Sequence, residues 1–132
     1  MNIELLETPI LFIVFNRPKT TSQVFQAIRA AKPRRLYVAA DGPRDDRPLE
    51  KEKVREVRDI ATQIDWPCDL KILFRDENLG CKYAVSGAID WFFKSEEQGI
   101  ILEDDCLPSQ SFFNYCHDCL TKYTVLIGST LK

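Results

Sequence analysis

The chain has 132 residues, 45% apolar and 29% charged, with 18 basic against 20 acidic side chains and a net charge of −2. That length and apolar content suit one compact domain with a buried core, and the absence of any long block of like charge argues against nucleic-acid binding through phosphate neutralisation. The start, Met1 to Glu7, lacks the basic segment of a signal peptide, the strongest apolar run, Ile10 to Phe15, is too short to span a bilayer, and five cysteines without framework spacing fit reduced thiols, so a cytoplasmic protein is expected.

Pro9 to Phe15 is continuously apolar and rich in β-formers, the pattern of a central strand covered on both faces. After Asn16-Arg17-Pro18, Thr20 and Gln23 have the spacing of a capping box, and Val24, Phe25, Ile28 and Ala31 make one helical stripe that Pro33 ends. Arg35 to Ala40 reads as the second strand, closed by the turn signal Asp41-Gly42-Pro43. Arg44 to Lys53 is the most polar stretch and reads as a surface loop entering a helix, with Pro48 in the first turn and Val54, Val57, Ile60, Ala61 and Ile64 on its buried face.

Trp66-Pro67 stops that helix, and Leu70 to Phe74 reads as the third strand. Asn78-Leu79-Gly80 leads into a helix with a broad apolar face of Cys81, Ala84, Val85, Ala88, Ile89, Phe92 and Phe93. Gly99 to Leu102 is the fourth strand and Ser109 to Tyr123 the fourth helix; Val125 to Ile127 has the composition to begin a fifth strand. Cys116 and Cys119 form a CxxC around His117, the only histidine, which invites a zinc or redox role. Phe112, Phe113, Cys116, Cys119, Leu120 and Tyr123 recur at helical spacing, however, so the thiols are expected in the core, with His117 an exposed bystander.

Strand and helix in this alternation predict a three-layer α/β/α fold with a mostly parallel, Rossmann-like sheet, in which ligands bind beyond the carboxyl ends of the strands. The polar residues of interest all follow strands: Asn16 and Arg17 the first, Asp41 the second, Arg75 and Asn78 the third, Glu103, Asp104 and Asp105 the fourth. Three consecutive acids at the mouth of a buried strand repel one another unless a cation sits among them, which points to a divalent ion carrying a phosphorylated ligand. If the backbone stays extended there, Glu103 and Asp105 point one way and Asp104 the other.

Phe15 to Pro18, Ala40 to Arg44, Arg75 through Lys82 and Ile101 to Pro108 together resemble the GT-A fold nucleotide-diphospho-sugar glycosyltransferases, in particular bacterial sugar transferases related to the N-acetylglucosaminyltransferase I type, with Glu103-Asp104-Asp105 as a version of the Asp-x-Asp metal motif. The resemblance runs from residue 9 to about 123. It implies that Asn16 and Arg17 border the donor nucleotide and that Asp41 contacts its base or ribose. Arg75 and Asn78 would lie along the nucleotide and diphosphate, Asp105 would bind Mn²⁺ or Mg²⁺, and Glu103 and Asp104 would face sugar or ribose hydroxyls.

The implied partners are a nucleotide-diphospho-sugar donor and a glycan or other hydroxyl acceptor; peripheral membrane association is left open. Such enzymes continue into an acceptor-binding half that supplies the catalytic base. Residues 1–132 therefore read as one donor-binding domain cut before that half, with no base to name and with an open sheet edge that favours homo-oligomers. The alternative is a non-catalytic nucleotide-binding or regulatory remnant that pairs with a partner chain. A phosphoacceptor receiver domain is disfavoured, because its acids follow the first and third strands and those here follow the fourth.

Overall fold

The structure, a computed structural model, describes residues 3–131, with side chains described as far as residue 121. Among these residues the chain alternates β1 (Ile10–Val14), α1 (Pro18–Ala31), β2 (Arg35–Ala40), α2 (Glu50–Ile60), β3 (Asp69–Phe74), α3 (Cys81–Phe93), β4 (Ile100–Glu103) and α4 (Gln110–Leu131). The sheet has the order β3-β2-β1-β4 with every neighbouring pair parallel, the arrangement of a small Rossmann-like α/β fold.

Its central strand is the apolar run: Ile10, Leu11 and Phe12 are wholly buried, because helices cover both faces of a parallel sheet. Ile10, Phe12 and Val14 join Leu36, Val38, Ile100 and Leu102 in a core that also takes in Phe25 and Ile28 of α1, Val57 of α2 and Phe113 of α4. On the other face Leu11, Tyr37 and Ala39 pack on Ala88 and Phe92 of α3. Gly99 is required where α3 hands over to β4, since a Cβ there would stand 2.9 Å from the Pro9 carbonyl oxygen and against the Phe92 ring. Among the described residues no helix is long and apolar enough to cross a membrane.

Several local expectations need correction. No capping box forms at Thr20 and Gln23: α1 already starts at Pro18, whose fixed φ suits a first helical position, and the Thr20 hydroxyl donates instead to the Arg17 carbonyl at 3.4 Å. α1 ends as expected before Pro33, with Lys32 in the left-handed region at φ 53°. Cys81 is exposed rather than part of the α3 core face, because the first turn of that helix borders an open cleft. The strand expected at Val125 to Ile127 falls inside the span of α4, Gln110–Leu131, and its side chains, like that of Tyr123, lie outside the described ones. His117 is no exposed bystander either; its Nδ1 lies 2.6 Å from the Oγ1 of Thr8, which is 6% exposed.

Cys116 and Cys119 are buried on the inner side of α4, Cys116 within the main core, as their helical stripe predicts. Cys119→Ala should therefore cost about 1 kcal/mol of stability through lost packing, read by denaturant unfolding, with no zinc released from the wild-type protein. One zinc per chain by elemental analysis would refute this account of the pair.

Candidate functional site

The carboxyl ends of the four strands surround a cleft of about 460 Å³. It opens where the chain reverses direction across the sheet: β1 to β3 step outward on one side of β1, and β4 returns to the other. The loops after β1 and β4 must then diverge, which leaves a crevice between them. Asn16 and Arg17, Asp41, Arg75 and Asn78, and Glu103, Asp104 and Asp105, expected from four separate segments, all line it, together with Phe15, Arg44 and the first turns of α3.

Asp41 is the most heavily engaged of these. Its Oδ1 accepts the backbone N–H groups of Gly42 and Leu79, each at 2.9 Å, and its Oδ2 accepts Gly80 N–H at 3.1 Å and Asn78 Nδ2 at 3.0 Å. The carboxylate thus clamps the loop between β3 and α3 onto the end of β2. Its oxygens are used internally and the residue is 9% exposed, so any influence of Asp41 on a base or ribose passes through that loop. Two glycines follow from the clamp. A Cβ on Gly42 would meet the Glu77 carbonyl carbon at 2.6 Å, and Gly80 carries φ 85°, open to glycine and strained for most other residues. Behind the loop, Arg58 Nη2 donates to the Asp41 and Arg75 carbonyls at 3.3 and 2.7 Å, and its guanidinium lies 4.8 Å from the Phe74 ring centroid.

A second buried carboxylate, Glu50, was hidden in the stretch read as a surface loop. It is 5% exposed and accepts Arg44 N–H at 2.8 Å, Arg44 Nη2 at 2.6 Å and Asn16 Nδ2 at 3.0 Å. These bonds, the Arg44 side chain foremost, hold the Glu50 carboxyl at about 2, well under its ordinary 4.5. Arg44 is fixed in turn over Phe15, its guanidinium carbon 5.6 Å from the ring centroid. Nothing local in the sequence marks Glu50 as buried, because its partner Asn16 lies 34 positions away.

At the mouth the pattern is different. β4 ends at Glu103, and the Cys106 N–H bonds back to the Glu103 carbonyl at 3.2 Å, so Asp104 and Asp105 sit in a turn and the strand alternation expected for the three acids does not apply. All three border the same cleft. Burial holds the Asp104 carboxyl above its ordinary value against the pull of Arg17, and the Asp105 charge adds to the rise. Asp105 is half-exposed and faces Arg17 Nη1 at 3.7 Å. Arg75 lies against α3, where a Cβ on Gly87 would be 2.8 Å from its Nη2.

Among the described residues, no group of three or more His, Cys, Asp or Glu side chains is arranged to hold a metal unaided. An ion of the Mg²⁺ type needs no such cage, since it commonly takes one or two carboxylates and completes its shell with water and substrate phosphates. Half-exposed Asp105 with Asp104 and Glu103 on the same cleft fits that mode, and Arg17 and Arg75, which also line it, fit the phosphates.

Because the Glu50 carboxyl is depressed in the folded protein, its stabilisation is complete above the unfolded value of 4.5 and is lost as pH falls through about 2. Glu50→Gln should lower Tm at neutral pH by at least about 4 °C, and the gap to wild type should close as pH is taken down through that window. A gap independent of pH in thermal melts would contradict the ionised pairing with Arg44.

Comparison with protein-family models, with curated proteins and with solved structures gives no match for this chain, so the chemistry of the cleft has to be argued from its own residues.

Proposed function

We propose that the chain is the donor-binding part of a glycosyltransferase that uses a nucleotide-diphospho-sugar with Mn²⁺ or Mg²⁺. The observation that carries this reading is the convergence on one crevice of the three carboxylates at the end of β4 with Arg17 and Arg75 from the ends of β1 and β3. A diphosphate bearing a metal ion is itself a ligand of alternating charge and would satisfy both sets at once. The motif resemblance supports the same assignment, with Asn16 and Arg17 bordering the donor nucleotide, Arg75 and Asn78 along the nucleotide and diphosphate, and Asp105 toward the ion. Glu103 and Asp104 would accept hydrogen bonds from sugar or ribose hydroxyls. A cytoplasmic setting belongs to the same proposal, in keeping with the exposed thiols of Cys81 and Cys106.

When bound, the ion would supply Lewis-acid stabilisation of the diphosphate leaving group. The protein's own part is to hold and orient the donor. Arg75, laid along α3, offers a planar fork to phosphate oxygens, and Arg17 is free to turn from Asp105 to a phosphate because their contact is solvent-exposed and worth little. Asp105 is thereby left to the ion.

Uridine diphosphate should stabilise the protein only when Mn²⁺ or Mg²⁺ is present, by ~2.7 kcal/mol at a hundredfold excess over Kd, and Asp105→Asn should abolish most of the gain. Equal stabilisation of wild type and variant in thermal shift assays would remove the ion from Asp105. Stabilisation by a uridine-diphosphate sugar with neither hydrolysis nor transfer of its sugar would favour a nucleotide-binding module over a transferase.

A further inference from the structure

β3 is an end strand of the sheet, and its outer side pairs with no strand among the described residues. Asp69 donates its N–H to the Arg34 carbonyl at 2.8 Å and Arg75 its own to the Ala40 carbonyl at 3.0 Å, with the parallel register unbroken from Arg35 and Asp69 to Ala40 and Phe74. Backbone groups alternate in direction along a strand, so Asp69, Lys71 and Leu73 bond to β2, whereas Leu70, Ile72 and Phe74 turn their N–H and C=O groups outward. Folded proteins usually blunt such an edge with a proline, a bulge, a very short strand or a charge projecting past it. β4, at the other end of the sheet, is short and closes on Glu103. β3 has six residues with no proline and no bulge, and Lys71 is drawn back over the sheet, its Nζ 5.5 Å from the Tyr37 ring centroid. Leu70 and Phe74 pack in part on the main core, and Ile72 between them is 51% exposed.

We propose that the β3 edge is an interface between two copies of this chain, paired antiparallel about a twofold axis at Ile72. The occupant is a second copy because the edge is complementary to itself. In an antiparallel pair, directly opposed residues exchange both backbone bonds at every second position. With the axis at Ile72, Leu70 faces the partner's Phe74, Ile72 faces the partner's Ile72, and Phe74 faces the partner's Leu70. These are the outward-turned residues, so each free donor meets an acceptor, and apolar side chains oppose one another along one face. Charge selects this register. Asp69 comes opposite the partner's Arg75 and Lys71 opposite the partner's Leu73, so no like charges meet. Moving the axis one residue toward the N-terminus sets Lys71 against the partner's Lys71, and one residue the other way sets it against the partner's Arg75. Larger shifts leave fewer of the three outward residues paired within β3. The interface holds whatever the cleft binds, since it uses main-chain groups that no ligand of the cleft reaches.

Analytical ultracentrifugation of the full chain should show wild type passing from monomer to dimer within about 1–100 µM. Ile72→Lys and Ile72→Glu should each raise the dimer Kd at least about tenfold, because either charge then faces its own copy. Position 72 meets itself across a twofold axis, so an equal mixture of the two variants should recover a dimer with one copy of each. A role of Ile72 confined to folding predicts no such recovery. Wild type that stays monomeric throughout that range overturns the proposal, as do single variants that dimerise like wild type or a mixture of dissociated variants that fails to associate. Wild type alone supplies a second measurement, which serves should either variant fail to fold. Between dilute and concentrated protein, hydrogen exchange of the Leu70, Ile72 and Phe74 amides should slow at least about tenfold, while Lys71 and Leu73, already bonded to β2, change little. Exchange at those three amides that is the same at both concentrations refutes the pairing.

Discussion

The cleft depends on the carboxylate of Asp41. A parallel sheet sends all its strands out at one edge, and the loops that follow have no ladder to hold them. Here one buried acceptor gathers most of the bonds that hold the loop between β3 and α3: three backbone N–H groups and one side-chain amide converge on its two oxygens, and Arg58 adds a bond to the Arg75 carbonyl. The clamp brings Asn78 and the start of α3 against the end of β2, and it dictates two glycines, one for backbone approach at Gly42 and one for a positive φ at Gly80. Removing one donor from so buried a group would leave it partly unsatisfied, at a cost larger than the bond's net worth. The loop is therefore fixed before any ligand arrives, which lowers the ordering cost of binding.

Glu50 does for the β1 side what Asp41 does for the β3 side. It reaches the end of β1 through Asn16 and the loop after β2 through Arg44, from the first residue of α2. Its position there also sets a negative charge against the helix N-terminus, a favourable arrangement with the dipole. The two buried acids thus organise the walls, Asp41 from the end of β2 and Glu50 from the start of α2, while the topology of the sheet opens the crevice between β1 and β4.

Much of this architecture is legible in the chain, because hydrophobic periodicity is imposed by burial and burial is what the sheet demands. Ile10 to Val14, the α2 face at Val54 and Val57, and the Cys116–Cys119 stripe all follow that logic. The eight residues expected at the site meet at one cleft for the same reason: each follows a strand, and a parallel sheet collects strand ends. What escapes is set by contacts between distant segments. Glu50 sits in a polar run and is buried only because Asn16 and Arg44 come to meet it. His117 is off the apolar stripe yet finds Thr8, 109 positions away. Cys81 follows the apolar period of α3 and is exposed because a cleft, not a strand, lies beneath that turn. That Asp104 and Asp105 sit in a turn rather than in the strand depends on where β4 ends, which no local pattern marks.

Five carboxylates thus stand around this crevice in two states. Asp41 and Glu50 are buried, with their oxygens engaged by internal donors, and such groups have little left for a ligand. Glu103, Asp104 and Asp105 line the mouth, where the described opposing contact is an exposed arginine at 3.7 Å. Asp104, the most buried of them, has its carboxyl pushed upward, by burial first and then, against the pull of Arg17, by the charges of Asp105 and Glu103. The division between acids whose oxygens are used inside the fold and acids that face the open cleft separates the frame of this site from the part of it left accessible.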